Sequence, residues 1–287
     1  MEKKHAYLIL AHHEFDILQK LVQLLDDPRN DIYIHLDKKV LQVPTLQVEK
    51  STLYMLNERV DIRWGNVSQI QGTYCLLEQV TKSNKLYDYC HLISGVHLPL
   101  YSQNYIHDFF DKAAGKQFFL PMQTSAFQTD LKMNRYNLLT KTFADPHPLV
   151  ARVSQIVWHL AHRLQRALHI RRFSKDTYAY ASNWVSITPE AIRYLVDNKA
   201  RIIQKYRYTF CGDEYFVPTE LLQSTLTWEI HYEKRLLLHE IKTAHAKTYT
   251  EEDFSLLLNS ECLFARKFSS AHMPIVDQIV KHLSPQT

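Results

Sequence analysis

Asp213 and Glu214 lie side by side in the run YTFCGDEYFVPTELL (208–222), between Cys211 and Tyr215-Phe216. A carboxylate held in an aromatic pocket has its charged form disfavoured, so it accepts a proton more readily near neutral pH. That chemistry suits deprotonation of a sugar hydroxyl. Adjacent residues on an extended chain face opposite sides, so one of the pair is expected to point into a cleft and the other to brace the loop. Gly212, one of only five glycines, would let that loop turn tightly. A second cluster is Arg266-Lys267 in LFARKF, flanked by Phe264 and Phe268. Cations held among aromatics can neutralise a diphosphate leaving group in place of a metal ion; the alternative is surface charge anchored by two phenylalanines. No metal site is expected. The sixteen histidines contain no HExxH, no DxD follows a strand, and His12 and His13 cannot both point the same way on a strand. A nucleophile elbow, GxSxG, is also absent.

These residues need a scaffold, and the first hundred residues supply one. AYLILAHH (6–13) is a continuous apolar run, as in a strand buried on both faces. FDILQKLVQLLDD follows, with Phe15, Leu18, Val22 and Leu25 on one helical face, and DIYIHLDKK (31–39) reads as a second strand. Strand, helix, strand in so short a span is a βαβ unit and predicts a parallel sheet. RVDIRWG (59–65) reads as a third strand, SQIQGTYCLLEQVTKS as the helix after it, and YDYCHLISGVHLPL as a fourth strand ending in a turn. Such sheets bind ligands beyond the carboxyl ends of their strands. Asp37, at the tip of strand two, is placed either to take a ribose or base hydrogen bond or to be a solvated loop acid. No GxGxxG follows strand one and no GxxxxGK[ST] occurs, which removes a P-loop and weakens a dinucleotide-enzyme reading.

The chain of 287 residues carries a net charge of +4, too mild for a nucleic-acid signature, and no nucleic-acid partner is expected. Its four cysteines, Cys75, Cys90, Cys211 and Cys262, are scattered with no CxxC, which favours a reducing compartment. No run approaches the 18 or so apolar residues of a membrane span, so a cytoplasmic location, or a position on the inner face of the cell membrane without crossing it, is expected. From His147 to Lys175 there is no acidic residue. Within that stretch Val153, Val157, Leu160, Leu164 and Leu168 form one stripe, with Arg152, Arg163, Arg166, Arg171 and Arg172 around it. This basic amphipathic helix (153–173) either packs its stripe on the body or lies on an anionic membrane surface. Thr188-Pro189 and Thr250 with Asp253 mark two further helix starts. One domain over 1–287 is expected, with a nucleotide-binding half (1–112) and an acceptor and catalytic half (113–287).

Taken together, AYLILAHHEFDILQKLVQLLDDPRNDIYIHLDKK, RWGNVSQIQGTYCLLEQ, YDYCHLISGVHLPL, CGDEYFVPTELL and LFARKF resemble the core-2/I-branching glycosyltransferases. That family includes β-1,6-N-acetylglucosaminyltransferases and peptide xylosyltransferases, and the chain looks like a bacterial member. The resemblance spans 5–112 and 180–270. It implies a GT-A type α/β fold, a UDP-sugar donor, a glycan or glycoconjugate acceptor, and inverting transfer with no metal or other cofactor. It makes Glu214 the general base and gives the diphosphate to Lys267 with Arg266. Ala11, His12, His35 and Asp37 fall where the family binds uridine, with Trp64 and Ser68 near the nucleotide. Asp213, His97, Trp228 and Tyr232 are acceptor-side candidates. Three departures stand out. His97 replaces the Asp usual in the family's SGxDxPL turn, and the DW pattern survives only as WEIHYEK. A second diphosphate-binding Arg has no counterpart except the nearby Lys242 and Lys247. N-acetylglucosamine is the favoured sugar, with xylose, glucose and glucuronic acid open. A non-catalytic glycan-binding module is the rival reading; a two-carboxylate glycoside hydrolase is disfavoured because adjacent side chains diverge.

Overall fold

Unbroken apolar runs form the centre of the molecule: β1 (His5–Ala11), β2 (Asn30–Leu36) and β4 (Tyr89–Ser94) are buried almost end to end. Strands this apolar need cover on both faces, and helices provide it. The structure, a computed structural model, describes residues 4–113, 115–172, 177–242 and 245–284. Helix α1 (Phe15–Leu24) turns its expected stripe inward, with Leu18 and Val22, and Leu25 just beyond its end, fully buried. It returns the chain for β2 to pair parallel to β1, so the βαβ unit is as expected. A short strand β3 (Thr52–Met55) adds to β2, and α2 (Ser68–Lys82) leads back to β4, which pairs parallel to β1 on its other side.

Beyond β4 come β5 (His97–Pro99), α3 (Gln103–Asp111), β6 (Lys116–Pro121), α4 (Ala126–Met133) and α5 (Pro148–Ala167). Then follow β7 (Ala181–Ile187), α6 (Pro189–Asp197), α7 (Lys199–Tyr206), α8 (Asp213–Leu222) and β8 (Glu229–Tyr232). The last elements are β9 (Leu237–Leu238), β10 (Ile241–Lys242), β11 (His245–Ala246), α9 (Phe254–Asn259), β12 (Phe264–Arg266) and α10 (Met273–Leu283). The main sheet has the order β3-β2-β1-β4-β7-β6-β8. Only β7 runs against the rest, since it pairs antiparallel to both β4 and β6 while β8 returns parallel to β6. The result is a mixed α/β fold with a seven-stranded, mostly parallel sheet, consistent with a GT-A-like architecture. A second, three-stranded sheet β5-β12-β9 lies against it.

Several expected elements differ. Arg59–Gly65 is not a strand; β3 lies earlier, and 59–65 is a loop held by side chains. Val60 N–H donates to His35 Nε2 at 3.0 Å and Ile62 N–H to Asp37 Oδ2 at 3.2 Å, so its donors are satisfied without a ladder. The fourth strand splits at Gly95, where an added methyl would lie 2.9 Å from the Ala11 side chain, and its second part joins the other sheet as β5. Strand β1 stops at Ala11, leaving His12 and His13 beyond its end, exposed and stacked at 4.1 Å. The expected extended segment at 213–214 is instead the first turn of α8. The tight turn before it falls on Cys211, with φ of 51°, while Gly212 is right-handed at −67°.

Helix α5 packs the other way round from the expectation that its apolar stripe faces the body. Leu149, Val153, Ile156, Leu160, Leu164 and the capping Leu168 are 51–67% exposed, while Ser154, His162 and Gln165 are buried. The inversion follows from the loop beneath. Asn137 Oδ1 accepts from Trp158 Nε1 at 2.8 Å and lies 3.0 Å from His162 Nε2. Gln165 Oε1 accepts from Tyr136 N–H at 2.7 Å. Burial lowers the His162 pKa to about 4, so it sits there neutral. Arg172 is buried against the Lys205 carbonyl and decorates no free surface, whereas Arg171 stays exposed while it pairs with Asp130. Phe173, at the end of the expected helix, lies outside the described residues.

Candidate active site

The antiparallel pairing of β5 with β12 sets His97 opposite Arg266. His97 Nδ1 accepts from the Ser94 N–H at 3.0 Å, which leaves the ring proton on Nε2. Burial, with Arg266 and His239 nearby, holds the His97 pKa well below its ordinary value, so the ring is neutral. Its Nε2 is buried with no partner. Arg266 Nη1 meets His239 Nε2 at 3.0 Å, and the guanidinium lies 5.3 Å over the Trp184 ring of β7. Burial and Arg266 push the His239 pKa down to about 4, so His239 accepts here as the neutral ring. Arg266 Nε is also buried without a partner, and among the described residues no carboxylate pairs with this cation. Burial lowers its pKa to about 10. Two N–H donors and an uncompensated cation thus converge beyond the carboxyl ends of the parallel strands, a favourable place for an anion. Lys267 is half-buried next to them, its backbone N–H on the Lys247 carbonyl at 3.2 Å.

Glu214 sits on the same end of the sheet, in the first turn of α8, where the helix dipole favours a carboxylate. Its Oε2 lies 3.2 Å from Lys132 Nζ of α4 and the side chain is 26% exposed. Lys132 in turn lies over the rings of Tyr180 and Tyr215, at 5.3 and 5.9 Å. Burial opposes its charge, but Glu214 outweighs burial and raises the Lys132 pKa. Burial and a hydrogen-bonded Glu214 raise the Tyr180 pKa, so the phenol stays protonated. Pro218 has no N–H, so the Glu214 carbonyl lacks its usual helical donor.

Asp213 points the other way, because adjacent helical residues diverge by about 100°. It is buried, accepts from Gln69 Nε2 at 2.9 Å, and leaves Oδ1 unpartnered. Burial first, then the charge of Glu214, raise its pKa to about 7. The carboxylate that burial perturbs is therefore Asp213, which faces the interior. Gln69 lies in the first turn of α2, and the Gly65 carbonyl accepts from Cys211 N–H at 3.0 Å. The RWG loop is thus fastened to the start of α8. Trp64 is 56% exposed and packs on Phe210 and Phe143 at 5.2 and 6.1 Å.

Tyr180, just before β7, and Trp184 within it touch the Glu214 and Arg266 groups and are four residues apart in extended chain, about 13 Å. Ala11, His12 and Lys267 border the cation side of that span, and Tyr232 lies at the same end of the sheet on its outer edge strand. Three expected contributors are otherwise engaged. Asp37 accepts from Lys39 N–H at 2.8 Å, Lys39 Nζ at 2.7 Å and Ile62 N–H, so it builds the loop beneath the site. His35 is buried on Val60, and Ser68 Oγ accepts from Arg63 N–H at 2.9 Å. Trp228 donates to Ser224 beyond the far end of α8, roughly 12 Å or more from Glu214 along the helix, so the structure does not bring it to Glu214. Lys247 pairs with Asp253 and Glu240, and the Lys242 side chain lies outside the described residues. Sequence reasoning missed Lys132, Tyr180, Trp184 and His239; none sits in a motif, and only the alternation in YAYASNWVSI hinted that Tyr180 and Trp184 share a face.

Among the described residues no three His, Cys, Asp or Glu side chains gather as a metal site. No described helix is long and apolar enough to cross a membrane. A family model described as Core-2/I-branching enzyme matches residues 5–256. No curated protein matches the chain.

Proposed function

Because the chain belongs to the core-2/I-branching enzyme family, and is thus a glycosyltransferase, we propose that it moves a sugar from a UDP-sugar to a hydroxyl of a glycan acceptor, with inversion and without a metal ion. N-acetylglucosamine is the sugar we favour. Glu214 takes the acceptor proton as the hydroxyl oxygen attacks the anomeric carbon from the face opposite the leaving group. The bond to the phosphate oxygen breaks, and its electron pair leaves on the diphosphate. Arg266 and Lys267 meet that charge, and a single displacement inverts the anomeric centre. Lys132 and Tyr180 orient the carboxylate, and Asp213 braces the helix start through Gln69.

The observation that carries this reading is Arg266: a half-buried cation whose Nε is buried and unpartnered, with no counter-charge among the described residues, beside the orphan N–H of His97. Such an arrangement is unfavourable unless an anion fills it. Its partner observation is that Tyr180 and Trp184, which touch the Glu214 and Arg266 groups, stand roughly 13 Å apart along the chain, a spacing that suits a sugar and a phosphate end to end.

Glu214→Gln is expected to lose about 10²–10⁴-fold in transfer while a UDP-sugar still raises its melting temperature. Arg266→Ala is expected to lose that stabilisation, and EDTA to change neither transfer nor binding. A fully active Glu214→Gln enzyme would remove Glu214 as the base, and stabilisation abolished by EDTA would overturn the metal-free mechanism. A panel of UDP-sugars in the same assay tests the preference for N-acetylglucosamine.

A further inference from the structure

We propose that the outward face of α5 seats on an anionic phospholipid surface, with the helix lying in the plane of the lipid headgroups. Leu149, Val153, Ile156, Leu160 and Leu164 fall within about 80° of arc at 100° per residue, along a helix about 30 Å long. All five are more than half exposed. Single exposed leucines are ordinary, but a contiguous stripe held outward marks an interaction surface. Its orientation is fixed: Trp158, His162 and Gln165 on the opposite side are bound to the 136–137 loop.

Charge selects the occupant. Arg152 and Arg163 are exposed and border the stripe on one side, and no acidic residue occurs from His147 to Lys175. Arg166, further round, lies 5.4 Å over the ring of Phe127, another exposed aromatic. A stripe of leucines with arginines at its border matches a surface that is apolar within and negative at its headgroups. A second copy of the chain on the same face would set these arginines against their own images with no acid on the helix to offset them. The inner side of α5 touches the site's surroundings: Trp158 lies 5.7 Å from Phe210, three residues before Asp213. A lipid surface under α5 is therefore separated by about one helix diameter, some 10 Å, from the side of α5 that meets Phe210.

The test is co-sedimentation of the full chain with phosphatidylcholine vesicles and with mixed phosphatidylcholine–phosphatidylglycerol vesicles. The chain is expected to pellet with the mixed vesicles and to be released by salt. Leu160→Glu is expected to weaken binding about tenfold or more, and Arg152→Gln with Arg163→Gln to remove the preference for phosphatidylglycerol. An unchanged melting temperature in each variant shows that the fold is intact. A chain that stays in the supernatant with both vesicles, or a Leu160→Glu variant that pellets as well as the unaltered chain, overturns the proposal. So does a dimer in analytical centrifugation that Leu160→Glu dissociates, because a second copy then covers the face. Vesicle binding needs no turnover, so Glu214→Gln is expected to pellet normally, and this outcome is independent of the proposed transfer chemistry.

Discussion

Two neighbouring carboxylates, Asp213 and Glu214, end in opposite electrostatic circumstances because the chain there is helical. Glu214 faces Lys132 and water; Asp213 faces the interior and Gln69. Asp213 ionises near 3.8 in an unfolded chain but near 7 when folded. Between those values the native state holds a proton that the unfolded chain has released, so rising pH draws the equilibrium toward unfolding. The penalty is absent below about pH 4 and complete above about pH 7, with an upper bound of about 4 kcal/mol. Asp213→Asn is therefore expected to match the unaltered chain at pH 4 and to unfold at higher denaturant at pH 8, as urea titrations would read. Equal midpoints at pH 8 would mean that Asp213 titrates normally. The motifs at 213–214 and 266–267 are legible because each is contiguous in sequence. Lys132 and Trp184 are not, since they arrive from elements 82 residues before each partner and mark no motif of their own. That Asp213 is perturbed depends on burial, and burial is a property of the packed chain.

At the scale of elements, the start of α8 is set by a close approach. A methyl on Gly212 would run into Thr209 Oγ1 and come within 3.1 Å of Tyr206, although its backbone angles suit any residue. The expectation that Gly212 lets the loop turn tightly is thus replaced by a packing requirement, and Cys211 adopts the left-handed angle. Gly212→Ala is expected to cost about 1–3 kcal/mol by overpacking. Because α8 carries Glu214 at that end, transfer should fall further than stability, measured by kcat alongside a chemical melt. A variant with unchanged kcat would show that the helix start tolerates the shift. The βαβ unit and α2 are readable from their periodicity. The loop at 59–65 reads as a strand because its alternation is real, but its hydrogen bonds go to His35 and Asp37 side chains. Likewise the stripe on α5 is legible as a stripe; its direction depends on the polar anchors of Asn137 and Tyr136, fifteen or more residues away in sequence.

Across the whole molecule, the second sheet carries the cation side, with Arg266 of β12 set against His97 of β5, and the start of α8 carries the carboxylate side. β7 ties the two together, since Trp184 lies under Arg266 and Tyr180, just before the strand, bonds Glu214. The order of the early strands follows from their apolar runs; the reversal at β7 does not, because nothing in its composition distinguishes an antiparallel central strand. The four buried, unpaired cysteines give this architecture a clock. Burial raises all four thiols, so each is slow to form the reactive thiolate until its surroundings open. Cys90 lies in β4 at the centre of the sheet, whereas Cys211 lies in the turn that precedes α8. Timed alkylation read by mass spectrometry should label Cys211 well before Cys90, with Cys90 tracking global unfolding. The reverse order would mean that the central sheet breathes more readily than the edge of the site. The spacing between those two half-lives would then state, in seconds or hours, how much of the molecule must come apart before the turn beside Glu214 yields.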